Sequence, residues 1–261
     1  MGIGEVKQMM TKQWHRAIAT VALGHGLLWL GFTASSAAVN SNDLRQLLIS
    51  NQCQGCDLEG AVLANMALAG VDLERANLQA ANLAEAVLNN SRLSGANLTG
   101  ANLQRAALGR ADLTDAILQN AQLGEARLSH AILNGADLQG ADLTGAIAPE
   151  TLFTEANLTG ANLTRGRLTQ ANFSSANLTQ ANLQQVNFSS AYMARADFTG
   201  ADLTGANLAD SRLLRATFDQ ANLTDATLLN AKVGNATFTD AIFCRTTLPD
   251  GTQNNQDCPT P

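Results

Sequence analysis

The sequence predicts an all-β solenoid, a four-sided coil of short extended segments, on three observations. A large apolar residue stands at every fifth position from Leu58 to Phe243, an unbroken run of 38 repeats. Two places before it stands a small residue, Ala in 30 of the 38, so each pentapeptide sends two side chains inward. The phenylalanines keep a longer register: Phe198, Phe218 and Phe238 are 20 apart, as are Phe153 and Phe173, so four pentapeptides complete one turn.

Neither ordinary element explains a period of five. Five residues carry a helix through about 500°, which smears the apolar positions around its surface. A strand needs strict alternation. With the large residue called i, positions i−2 and i lie on one side of an extended segment. The residues at i−1, i+1 and i+2 are polar or small, rich in Asn, Asp, Thr and Gly, which favour turns. The chain therefore turns a corner in each repeat. Successive turns of the coil stack about 4.8 Å apart, giving a rod roughly 45 Å long. Leu98, Leu103 and Leu128 are representative core positions, and Leu128→Asp is expected to bury an unpaired charge with no room to repack.

The phrases Ala96-Asn97-Leu98-Thr99-Gly100, Ala101-Asn102-Leu103-Gln104-Arg105 and Ala201-Asp202-Leu203-Thr204-Gly205 resemble the pentapeptide-repeat family, written Ala-Asp/Asn-Leu-x-x. The resemblance covers residues 56–245 and implies a right-handed quadrilateral β-helix. Leu44-Arg45-Gln46-Leu47-Leu48 followed by Cys53-Gln54-Gly55-Cys56-Asp57-Leu58 resembles the cap style of cyanobacterial members.

Before the repeats, Lys7, Lys12, His15 and Arg16 precede an apolar run from Ala17 to Phe32 and small residues through Ala38. That pattern describes a secretory signal peptide over 1–38, cleaved after Ala38. The apolar run is under the roughly 18 to 20 residues that span a bilayer. Met9 or Met10 would serve equally as the start. Residues 39–55 form an N-terminal cap, with a short helix from Ser41 to Ile49 capped by Ser41, Asn42 or Asp43. Residues 246–261 form a C-terminal tail over the last turn of the coil.

One irregularity interrupts the run. At Ala148-Pro149 the central residue shrinks, and a residue follows that cannot donate to a ladder. A local bulge or short loop is expected there, with Ile147 or Leu152 drawn inward.

The four cysteines sit in two pairs, Cys53 with Cys56 and Cys244 with Cys258, at opposite ends of the rod. That separation excludes a four-cysteine metal site within one chain. In an exported protein two local disulfides follow. The second would staple the tail across the final turn of the coil.

The chain has no P-loop, no dinucleotide fingerprint and, beyond residue 38, a single histidine, His130. No catalytic, cofactor or metal site is expected. The formal charge is −6; removing three bases and one acid with the signal peptide leaves 13 against 21, a net −8. An acidic rod is a poor binder of nucleic acid or of anionic membranes. Sorted by side, Asp57, Glu59, Asp137, Asp197, Asp219 and Asp240 share one side with no base. Arg195, Arg212, Arg215 and Lys232 cluster at the far end of another side. These two groups are the candidate interaction surface.

The function expected is that of an exported, non-enzymatic structural or protein-interaction rod with no cofactor, an unknown protein partner and an open oligomeric state. Its compartment would be periplasm, thylakoid lumen or the outside of the cell. Two alternatives differ in class. Some members of the family mimic duplex DNA and bind a type II topoisomerase, but a 45 Å duplex carries about 26 negative charges, far more than this chain. An enzyme on a β-helix scaffold would need a cleft that nothing in the sequence supplies.

Overall fold

An extended segment needs hydrogen-bond partners beside it, and here the partner is the segment 20 residues further on. The computed structural model describes residues 40–259, so the expected signal peptide falls outside the described residues. Parallel bridges join i to i+20 without a gap, from Gln52↔Asp72 to Thr227↔Thr247. The result is a β-helix solenoid with four pentapeptides to each coil.

One repeat shows the common bonding scheme. The amide of Leu98 donates to the carbonyl of Ile117 at 2.7 Å, and that of Gly100 to Gln119 at 2.9 Å. In the other direction Asn97 donates to Ala76, and Ala101 closes the corner onto Leu98, both at 2.9 Å. The fifth amide, Thr99, goes to its own repeat's Asn97 Oδ1 at 3.1 Å. Asn or Asp at i−1 is therefore a turn-forming residue that satisfies the donor the ladder omits. Each corner also requires a left-handed residue at i+2. Gly supplies it at Gly60 or Gly100, but Arg75, Glu85 and Ser175 adopt the same conformation, with φ between 56° and 60°.

The inward pairs form one continuous buried column, with Leu98, Leu103 and Leu128 wholly inaccessible. Within it Phe153 and Phe173 stack at 4.5 Å, Phe198 and Phe218 at 4.7 Å, and Phe218 and Phe238 at 5.1 Å. Phe188, on the neighbouring side, meets Phe173 edge-on at 5.3 Å.

The ladder exceeds the expected bounds by one repeat at each end. Cys53 occupies a central position, its amide donating to Asp72, and Leu248 occupies another, with Leu228 donating to Thr247 and Asn230 to Pro249. Central positions thus run from Cys53 to Leu248, 40 in all. Cys53 hid the first because it is small, and Thr246 with Pro249 disguised the last.

The expected break at Pro149 is absent. Ala148 is buried, its amide donates to Arg167 at 2.8 Å, and the bridges Arg127↔Ile147↔Arg167 continue through the site. Ile147 and Leu152 stay outside the core. Pro149 is tolerated because i+1 is the one position whose amide the ladder does not use. Ile147 at i−1 has no side-chain acceptor to offer that amide in any case.

The helix α1 spans Ser41–Ser50. Its cap is Asn40, one residue before the expected candidates, whose Oδ1 accepts from the amides of Asn42 and Asp43. Asp43 instead accepts from the amide of Asp57 at 2.7 Å, tying helix to coil. Leu47 is fully buried, with Leu44 packed against the core. At the other end β1 (Thr246–Thr247) pairs antiparallel with β2 (Gln253–Asn254). Disulfides Cys53–Cys56 and Cys244–Cys258 close the two ends.

Candidate functional site

With register established, the surface sorts into four sides. The first carries Leu58, Leu78 and Leu98; the second Leu63 and Leu83; the third Leu68 and Leu88; the fourth Leu73 and Leu93.

On the first and second sides the i−1 column is mostly Asn and Asp, largely occupied in turn bonds. Asp137 accepts from the amide of Gln139 and from the side chains of Gln119 and Asn157. Asp197 accepts from the amide and hydroxyl of Thr199, and Asp219 from the amide of Thr239. A hydrogen bond from the Thr237 hydroxyl, joined by that amide, holds Asp219 below the usual carboxylate range. The acidic side is thus largely built into the coil: of the expected surface residues Asp137, Asp197, Asp219 and Asp240, three serve its turns.

The fourth side differs. From Ile132 its i−1 column reads Leu152, Asn172, Tyr192, Arg212, Lys232. One Asn remains, and the other positions have been released from turn-making. Near the C-terminal end three successive rungs form a small field. Tyr192, Arg212 and Lys232 stand at i−1; Ala194, Leu214 and Gly234 at i+1; Arg195, Arg215 and Asn235 at i+2. Leu214 is 47% exposed and Tyr192 42%. Arg195 and Arg215 occupy left-handed corners, φ 61° and 60°, that direct them outward.

Among the described residues the four cations of this field make no salt bridge, as is true of every arginine there except Arg92, Arg105 and Arg245; what sets the field apart is that four cations gather on three successive rungs. The Arg212 guanidinium lies over the Tyr192 ring at 4.8 Å, a cation–π contact that keeps the side chain flat on the surface. Ala194, Arg195, Leu214, Arg215, Gly234 and Asn235 line a shallow open depression.

The structure therefore brings together Arg195, Arg212, Arg215 and Lys232, as the sorting by side anticipated. Tyr192 and Leu214 went unnoticed in the sequence. The available signal was the lone tyrosine of the chain at a position normally Asn or Asp, and a leucine at a normally polar i+1. His130 Nδ1 meets a Glu150 carboxylate oxygen at 3.6 Å on the surface. Among the described residues no group of His, Cys, Asp and Glu could hold a metal ion.

The family model described as pentapeptide repeats matches eight copies over residues 56–240. HetL of the cyanobacterium Nostoc sp. strain PCC 7120, described as involved in heterocyst differentiation regulation, is 32% identical over 81% of this chain and 97% of its own, with a TM-score of 0.27. A thylakoid-lumen pentapeptide repeat protein of Arabidopsis thaliana is 24% identical over 40% of this chain and 65% of its own, TM-score 0.27. Full-length QnrB1, a plasmid-mediated fluoroquinolone resistance protein, is 19% identical over 69% and 90%, TM-score 0.32. Among the curated proteins nothing matches this chain.

Proposed function

The chain belongs to the pentapeptide-repeat family, and from that premise we propose that it is a non-enzymatic, exported protein-interaction rod. Its coil is the right-handed quadrilateral β-helix of that family. The single observation carrying the interaction role is the unpaired, partly apolar field on the fourth side, where four cations surround exposed Leu214 beside Tyr192. An arrangement that contributes nothing to the ladder, leaves like charges together and exposes a leucine costs stability, and a partner would offset that cost.

Export is supported by the basic and apolar pattern over 1–38 and by the pairing of all four cysteines, which suits an oxidising compartment. No helix among the described residues is long and apolar enough to cross a membrane. Mimicry of DNA gains no support: the acids sit in turns, and the fourth side offers cations where a duplex offers phosphates.

A photo-crosslinking residue placed in turn on each of the four sides, in cells expressing the full chain, tests the reading. A defined protein crosslinked from one side is the expected outcome. Crosslinks from none of the four sides would sink the interaction role. Retention of uncleaved chain with reduced cysteines in the cytosol would sink export.

A further inference from the structure

We propose that the field centred on Leu214 docks an acidic polypeptide segment bearing one apolar side chain; this rests on the interaction role above and gives it a place and a chemistry. The nine positions lie together on three successive rungs. Ala194 and Gly234 are the smallest residues available on either side of Leu214 along the rod axis, so the leucine stands between two low points. Its Cδ2 lies 3.1 Å from where a Cβ on Gly234 would sit. Any larger residue there would push Leu214 aside and fill the depression.

The cations frame this apolar centre. Arg212 and Lys232 lie in the column before it, Arg195 and Arg215 in the column after it. Arg212 and Lys232 lie on the flat of the side and Arg195 and Arg215 at its corner, while neighbours along the axis are about 4.8 Å apart. An incoming segment can seat one apolar side chain beside Leu214 and place carboxylates on both flanks. A central apolar contact with a charged rim, anchored by Arg and Tyr, is the anatomy of an interface hot spot.

The surroundings limit what the occupant can be. Across one corner stands Asp210, joined to Asn230, and across the other the first side begins with Asp197, followed by Asp219 and Asp240. A duplex or a flat anionic membrane covering the field would press its own charges against those acids. A short peptide fits within three rungs and avoids them. Electrostatic attraction confined to so small an area also explains how a chain of net negative charge keeps a basic site.

The test uses purified full chain and a fluorescein-labelled heptapeptide of six glutamates around one leucine, followed by anisotropy. Saturable binding is expected, weakening steeply with salt. Arg212→Glu with Arg215→Glu should weaken it at least about tenfold, and Leu214→Gly should remove the preference for the central leucine over glycine. Arg105→Glu with Arg165→Glu makes the same charge change on the second side and should leave binding unchanged. The proposal falls if the control pair weakens binding equally, if the glycine peptide binds as well to the unmodified chain, or if vesicles of anionic lipid or an oligonucleotide bind more tightly. Absence of peptide binding together with a defined crosslink from another side would overturn this site and leave the interaction role standing.

Discussion

Phe218 is the most informative core position, because it is the middle ring of the three-ring ladder. It is fully buried and stacks on Phe198 at 4.7 Å and on Phe238 at 5.1 Å, with both pairs 5° from parallel. Phe218→Leu installs the residue that occupies most other central positions, so the backbone accommodates it. The cost then isolates the ladder: two aromatic contacts at about 0.5–1.5 kcal/mol each, plus about 1 kcal/mol for the smaller side chain. The expected total is about 2–4 kcal/mol. Phe188→Leu is the comparison, since Phe188 is equally buried but meets only Phe173, edge-on; it should cost about 1 kcal/mol less. Urea unfolding followed by far-ultraviolet circular dichroism is the assay, because Trp14 and Trp29 lie outside the described residues and Tyr192 is the only tyrosine. A double-mutant cycle with Phe198→Leu should return a coupling of about 0.5–1.5 kcal/mol. Equal costs at positions 218 and 188, or a coupling of zero, would show that the rings fill space without attracting one another.

Three further outcomes follow from the ends and the core. Ser211 occupies an inward position usually held by Ala, and its buried hydroxyl has no partner, whereas the equivalent Ser91 donates to Leu88 at 2.6 Å; Ser211→Ala should stabilise by about 1 kcal/mol in urea melts, and Ser91→Ala should not. The Cys244–Cys258 disulfide spans 14 positions; Cys258→Ser should cost up to about 3 kcal/mol and open residues 246–258 to limited proteolysis, leaving the N-terminal coils resistant. Hydrogen bonds from Arg245, aided by its charge, hold the Asp225 carboxyl below its ordinary value of 3.8. A carboxyl depressed on folding contributes stability above its unfolded value and loses it as pH falls through the folded one. Thermal midpoints should therefore stay level from pH 7 to about 5 and decline below about 4, with a shallower decline in Asp225→Asn.

The repeats were legible because in a solenoid each residue's environment is set by its place in the phrase. Leu98 and Phe218 are core for the same reason, and the 20-residue spacing of Phe198, Phe218 and Phe238 already implied stacked rings. Pro149 misled for a physical reason: a missing amide matters only where the ladder uses it, and the bonding scheme at i+1 emerges only when adjacent coils are seen together. Asn40 was overlooked as the helix cap because three good capping residues follow it, and Asp43 proved to be engaged with Asp57. Tyr192 and Leu214 carried a signal in their departure from the phrase, but one departure among many polar positions does not stand out until its neighbours in space are known.

From the chain itself come the period, the two inward residues of each repeat, the four-repeat coil and the paired cysteines, because local spacing alone decides them. Which side chains share a surface depends on what lies 20 residues away. Only stacking of coils sets Arg212 beside Tyr192 and Lys232, places Leu214 between Ala194 and Gly234, and ties Asp137, Asp197 and Asp219 into turns while leaving the basic field unpaired.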